Sequence, residues 1–346
     1  MIDHSQTQLT ALAIHRVGNR HREEDNVVSD RLASLTEEQQ ALLMTFVLRP
    51  FAKCTEVYEF AEGEPSPVKA LAASILNDPE ALLTSSVQIL QHLYAQSDHP
   101  HIRVGEVFVA HLTAVYFEGQ VVDAVGIFKA ETKSPFFKFN EEDGELVLIN
   151  DLGVNAQKLD KGCLIMDTGE EDGLRVLTVD ANNYDADYWK RNFLNLVQAN
   201  DSHFQTRNHV QMVKEFSKDV LAPGNRTEQI AFVNEAVQFM NDREEWDNDD
   251  FGLTVLRNAD LQNAFNDYRQ QFSERAGVPL EDSFDISMPE LQQQKRKYRN
   301  QIDLDTKIQI KLPFSPDGTQ PHIERGYDEV RGMFFYKVYF LKEEGS

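Results

Sequence analysis

Apolar positions recur along this chain first at helical spacing, then at a period of two, then at helical spacing again. Leu9 to Val17 reads as a first strand ending at the turn signal Gly18-Asn19, followed by a polar stretch from Arg20 to Asp25. Thr36, with Gln39 three residues on, offers a capping box to a helix that carries Leu42, Leu43, Phe46 and Val47 and that Pro50 stops. Ser66 can cap a second helix, with Pro67 at its first position and Val68, Leu71, Ala72, Ile75 and Leu76 as one buried stripe. Asp78-Pro79 starts a third, with Leu83, Val87, Leu90 and Tyr94 on one face.

From Val104 the period changes. Val104 to Phe117, Val121 to Lys129, Leu146 to Ile149, Cys163 to Met166 and Leu174 to Val179 are runs rich in Val, Ile and Phe, separated by Glu118-Gly119, Asp143-Gly144 and Asp172-Gly173. This pattern predicts an antiparallel meander. Tight turns between strands, and the lack of a glycine-rich phosphate loop, argue against an ATPase or a doubly wound nucleotide-binding sheet.

A Tyr-Trp-rich amphipathic segment begins at Asp185, and helical spacing then persists. Thr206 can cap a helix with Val210, Val213, Phe216 and Val220, and Thr227 one with Ile230, Val233, Val237 and Met240. Asn258 precedes Leu261, Phe265, Tyr268 and Phe272, closed by Gly277 and Pro279. Ile308 to Leu312 and Met333 to Leu341 are strand-like runs around a loop, Ile323 to Gly332. The expected fold is α+β: helices plus an antiparallel β meander in the N-terminal half, then a helical region with a C-terminal β hairpin. The expected division is 1–200 and 201–346.

With 346 residues the chain can bury one large core or two medium ones without staples. Its two cysteines, Cys54 and Cys163, lie far apart in apolar surroundings, so buried thiols are expected rather than a disulfide or a zinc site. No apolar run reaches membrane-spanning length and the N-terminus lacks a secretory pattern, so the expectation is a cytoplasmic protein with no membrane partner.

Charge sharpens the picture. The net charge is −23, and splitting at Asn150 gives 11 basic against 22 acidic residues before and 23 against 35 after, so the halves carry −11 and −12. Affinity for phosphates comes chiefly from Lys and Arg displacing counterions, so any DNA contact has to be a local basic patch or run through a partner. The one basic cluster is LQQQKRKYRN, which supplies Lys295, Arg296, Lys297 and Arg299; it reads either as a charged linker or as a phosphate-binding patch. The sharpest acidic run is Asn241 to Asp250, with Asp242, Glu244, Glu245, Asp247, Asp249 and Asp250 around Trp246. It reads as a solvated loop, or as a docking surface for a basic partner with Trp246 as aromatic anchor.

Three stretches look like catalytic sites. Asp167-Thr168-Gly169 matches the aspartic-protease tripeptide, but one copy is present, Glu170 and Glu171 would add like charge, and a hairpin turn is the simpler reading. Glu131-Thr132-Lys133 after Asp123 suggests a metal-dependent nuclease. On one strand, however, eight residues at about 3.3 Å separate those carboxylates by roughly 26 Å, against roughly 4 Å between the ions of a two-metal site. Glu106 or Glu118 on the preceding strand could substitute, so this alternative stays open. His99-Pro100-His101 reads as loop histidines. No catalytic residue, metal site or cofactor is assigned.

Several stretches taken in order do carry a resemblance. They are His15-Arg16-Val17-Gly18-Asn19, Pro50-Phe51, the hairpin leading to Phe128-Lys129, Leu159-Asp160-Lys161-Gly162-Cys163, Tyr188-Trp189-Lys190 and Ile323-Glu324-Arg325-Gly326-Tyr327-Asp328. Through them the chain resembles the bacterial nucleoid-associated protein family of the NdpA/YejK type. The resemblance implies a cytoplasmic, nucleoid-located protein that binds DNA or the enzymes that set DNA topology, such as a type II topoisomerase, without catalysis. The residues leave open an acidic interaction protein whose carboxylate-rich surface engages a basic DNA-handling partner, with imitation of DNA phosphates as one way to do so, and both a monomer and a homodimer.

Overall fold

The computed structural model describes residues 2–3, 5–63, 65–169, 173–181, 187–315 and 322–342. The chain divides into two compact units, Met1–Ala199 and Asn200–Ser346.

In the first unit, local capping chemistry sets the helices. Thr36 accepts from the Gln39 backbone N–H at 3.2 Å while the Gln39 side chain accepts from the Thr36 N–H at 2.9 Å, so α1 (Glu37–Leu48) begins on a complete capping box. Ser66 caps α2 (Pro67–Asn77), with Pro67 at the first helical position, and Asp78 caps the short turn that leads into α3 (Leu82–Gln96). The buried stripe of α3 is Leu82, Ser85, Ser86, Ile89, Leu90 and Leu93. Of the expected Leu83, Val87, Leu90 and Tyr94, only Leu90 is fully buried, because the serines carry no apolar signal.

The strands of this unit are β1 (Ile2–Asp3), β2 (Gln8–Val17), β3 (Tyr58–Phe60), β4 (Gly105–Phe117), β5 (Gln120–Ala130), β6 (Lys133–Glu142), β7 (Glu145–Val154), β8 (Lys161–Asp167), β9 (Leu174–Asp180) and β10 (Leu196–Gln198). The main sheet is antiparallel in the order β1-β4-β5-β8-β9-β3-β10, with β2 also paired to β4. Both of its faces are covered. Val107, Val109, Val125, Ile127, Cys163 and Ile165 meet α2 and α3, while Ala110, Leu112, Ala124, Phe128, Leu164 and Met166 meet α1 and Phe51. Burial on two sides explains why β5 and β8 read as nearly continuous apolar runs. Gly126 is required at its place because a Cβ there would lie 2.4 Å from the Phe128 ring. Tyr188, Trp189 and Phe193, on the wide π-type turn Asp187–Phe193, close the first core; Asp185 lies outside the described residues.

A separate two-stranded ribbon formed by β6 and β7 departs from expectation. Only Leu146 to Ile149 carries a strand signal in the sequence, yet ten residue pairs run from Lys133↔Val154 to Glu142↔Glu145.

The second unit holds α4 (Ser202–Phe216), α5 (Arg226–Asn241), α6 (Asn248–Phe251), α7 (Ala259–Ala276) and α8 (Met288–Lys297). Asn258 caps α7 and Gly277 ends it in the left-handed region, as its sequence grammar predicts. Two expected caps are corrected. Asp201, not Thr206, caps α4, and Asn225 precedes α5, with Thr227 inside that helix. Thr206 is buried mid-helix, where its hydroxyl accepts the Ser287 N–H at 2.9 Å.

Two-stranded sheets complete this unit: β11 (Glu245–Asp247) with the distant β12 (Ser283–Asp285), and the hairpins β13 (Gln301–Asp303) with β14 (Gln309–Lys311) and β15 (Ile323–Asp328) with β16 (Met333–Val338). The segment expected as a loop, Ile323 to Gly332, thus supplies a strand of the C-terminal hairpin. The architecture is α+β.

Candidate nucleic-acid interface

The basic cluster is helical. Lys295, Arg296 and Lys297 form the last turn of α8, where cations complement the helix dipole, and Arg299 follows just past its end. Lys295 is already engaged: its Nζ lies 3.4 Å from Asn241 Oδ1 and 5.0 Å from the Phe314 ring centre. Arg296, Lys297 and Arg299 are exposed and form no ion pair among the described residues.

A further lysine joins them from α4. Lys214 donates to Gln294 Oε1 at 3.2 Å and sits over one side of the Tyr298 ring system at 5.4 Å, with the Arg226 guanidinium also 5.4 Å from that ring. Burial pushes the Lys214 ammonium down to about 8, and the positive charge of Lys297 adds to the effect against a weaker pull from Glu290. Lys214 and Lys297 are thus like-charged neighbours, with Glu290 as the opposing charge, in a chain whose net charge is −23. Sequence reading missed Lys214, because a lone lysine in an amphipathic helix carries no signal of the neighbour that α8 brings to it.

The acidic run is ordered rather than a free loop. Trp246 is 0% exposed, packed against Phe239, Phe251, Phe284 and His209, so it fills the core and does not serve as a surface anchor. The charged residues around it hid this burial, while the pairing of β11 with β12 is non-local and has no local signal. Asp247 caps α6, and Asp250 bonds Arg243 at 2.7 Å and Thr254 at 2.9 Å. The Arg243 bond is the main cause that holds the Asp250 carboxyl below its usual range. Asp242, Glu244, Glu245, Asp247 and Asp249 remain on the surface.

A buried ionic group in the first unit went unread as chemistry, although its residues sit in the resemblance pattern. Lys129 is fully buried, 2.7 Å from Glu131 Oε1 and 2.7 Å from the Arg103 carbonyl. Lys161, its cross-strand neighbour, pairs with Asp180 at 2.8 Å. Burial pushes the Lys129 ammonium below its ordinary range, opposed by Glu131 and Asp160. Asp160 accepts the Glu131 and Thr132 N–H groups at 2.7 and 2.8 Å and the Thr132 hydroxyl at 2.6 Å. A lysine at an inward position of an apolar strand was the available signal.

The look-alike residues take up structural contacts. Glu131 and Thr132 belong to a clasp at the root of the β6–β7 ribbon, and Lys133 pairs with Glu106 at 2.9 Å. Burial tends to raise the Glu106 carboxyl, but Lys133 and Arg16 outweigh it and hold the group below its usual range. Asp123 lies within β5, well separated along the strand from Glu131 beyond its end. No cluster of three or more His, Cys, Asp or Glu able to hold a metal exists among the described residues. Asp167 accepts the Gly169 N–H at 3.0 Å in a turn; Glu170 and Glu171 lie outside the described residues. His101 N–H donates to His99 Nδ1 at 3.3 Å in a surface bend.

Compared with known protein families, the chain matches the one described as nucleoid-associated protein YejK over residues 13–329. No curated protein matches it.

Proposed function

The chain belongs to the nucleoid-associated protein YejK family, and from that premise we propose that it acts in the cytoplasm by binding DNA, without catalysis, through the cationic corner formed by α4 and α8. One observation carries this reading: Arg296, Lys297 and Arg299 are exposed without an ion pair among the described residues, and Lys297 crowds the half-buried Lys214, within a strongly acidic chain. Such crowding is unfavourable alone and is relieved when phosphates displace counterions from the site. The test is a DNA-binding titration at several salt concentrations. Changing Arg296, Lys297 and Arg299 to Ala should weaken binding on every DNA sequence alike and lower the log-log salt slope by up to about three ions. Unchanged affinity and slope would remove this corner from the interface.

A second reading has its own support. The exposed carboxylates Asp242, Glu244, Glu245, Asp247 and Asp249 sit on or beside β11 and α6, ordered elements, with the exposed Leu253 and a shallow groove beside Asp249. A pre-organised acidic surface suits a basic DNA-handling protein, such as a type II topoisomerase.

A further inference from the structure

The ribbon of β6 and β7 pairs with no other strand among those described, and its two faces differ. Directly opposed residues share a face, so Pro135, Phe137, Phe139 and Glu141 lie on one side with Leu152, Asn150, Leu148 and Leu146. On that side Phe137 is 68% exposed, Phe139 63%, Leu146 76%, Leu148 54% and Leu152 64%. The opposite face mixes Lys138, Asp151, Glu142 and Glu145 with Ile149, Val147 at 37% exposure and Phe136 at 47%, the last folded over Gly153. The apolar side is thus turned outward. At about two-thirds exposure the two phenylalanines alone present on the order of 250 Å². With three leucines and Pro135 the face rivals the largest apolar patches of ordinary monomers and forms a sizeable part of the roughly 800 Å² that each partner buries in a standard interface.

We propose that this face packs against the same face of a second copy of the chain, with the two ribbons antiparallel about a two-fold axis. Charge along the ribbon selects that occupant and orientation. At its root, Arg16, Lys129, Lys133 and Lys158 stand against Glu106, Glu131 and Asp160, which leaves one positive charge. At its tip stand Glu141, Glu142, Asp143 and Glu145, all exposed. Antiparallel stacking sets each copy's root against the other's tip, twice over by symmetry, whereas parallel stacking would crowd eight carboxylates together. The tip carboxylates also repel DNA. Two ribbons stacked face to face, about 10 Å apart, would bury both apolar sides at once. An isolated two-stranded ribbon is marginal in water, and the clasp of Asp160, Glu131 and Lys129 at its root explains how it persists until it is covered.

Sedimentation equilibrium of the full chain tests this independently of the DNA reading. The parent should sediment at twice its 39.6 kDa, Phe139→Glu/Leu148→Glu at 39.6 kDa with an unchanged far-UV spectrum, and Lys138→Glu, on the opposite face, still as the dimer. Glu141→Lys, a polar change at the tip that leaves the apolar face whole, should weaken dimerisation several-fold. A parent that is monomeric throughout, or a dimer that survives the double Glu variant, overturns the inference. So does a monomeric parent whose double variant loses a protein partner that the parent binds.

Discussion

Replacing Lys129 with methionine isolates the charge of the buried clasp, because the two side chains have similar length and shape and the change opens little space. Lys129 is fully buried, and its Nζ holds Glu131 and the Arg103 carbonyl, each at 2.7 Å. The Glu131 side chain is 4% exposed, so after the change its carboxylate loses this partner without gaining water. Breaking a buried pair from one side costs about 3–5 kcal/mol. With a urea dependence of about 2–3 kcal/mol per molar, the unfolding midpoint of the first unit should fall by about 1–2 M. Removing both partners is different, since an apolar pair of similar volume is often neutral. Lys129→Met/Glu131→Leu should therefore recover more than half of the loss in a double-mutant cycle followed by circular dichroism. A single variant that loses under about 1 kcal/mol, or a double variant as weak as the sum of its singles, would refute the reasoning.

Three further outcomes are expected. Lys214 is charged below about 8 and neutral above, so DNA affinity should fall as pH rises from about 7 to about 9, by at most tenfold per unit, and Lys214→Arg should flatten the profile; anisotropy titrations giving a flat parent would exclude Lys214. Burial holds His209 down to about 3 against 6.5 for the free side chain. The unfolded chain therefore gains a proton that the fold refuses, and stability is lost as pH falls from about 6.5 toward 3, at up to about 1.4 kcal/mol per unit; His209→Gln with the same acid slope in urea melts would contradict this. Neutralising Asp242, Glu244, Glu245 and Asp249, while sparing Asp247 and Asp250 for their structural bonds, should slow association with a type II topoisomerase and reduce its salt sensitivity. Identical rates at low and high salt would assign that surface to solubility alone.

Local chemistry was the legible part of this fold. The capping box of Thr36 and Gln39, the Ser66-Pro67 start, Asn258 and Gly277 act within a few residues of where they are written. Thr206 and Thr227 misled for the same reason, since a threonine followed by helical periodicity looks alike at a cap and inside a helix; Thr206 is held by Ser287, 81 residues away. β6 hid behind Pro135 and a mixed polar pattern, because its outward apolar face has no core to announce it. The basic cluster was visible as a run of cations, but its meeting with Lys214 depends on packing between α4 and α8. Trp246 shows the limit most clearly. Six carboxylates surround it in sequence, and only the pairing with Phe284 on β12 carries it inside.

Each unit of the chain contains one indole, and both are shielded from water. Trp189 donates to Thr178 Oγ1 at 3.2 Å, whereas the Trp246 N–H finds no acceptor among the described residues and its ring lies among aromatic neighbours. Their emission should differ, the unpaired indole in its apolar setting being the bluer, and Trp189→Phe would leave Trp246 as sole emitter. With the His209 ring centre 5.0 Å away, Trp246 emission should also dim if that imidazole is forced to take up a proton. The protein thus carries an intrinsic fluorophore for each unit, and the opening of either can be watched without a label.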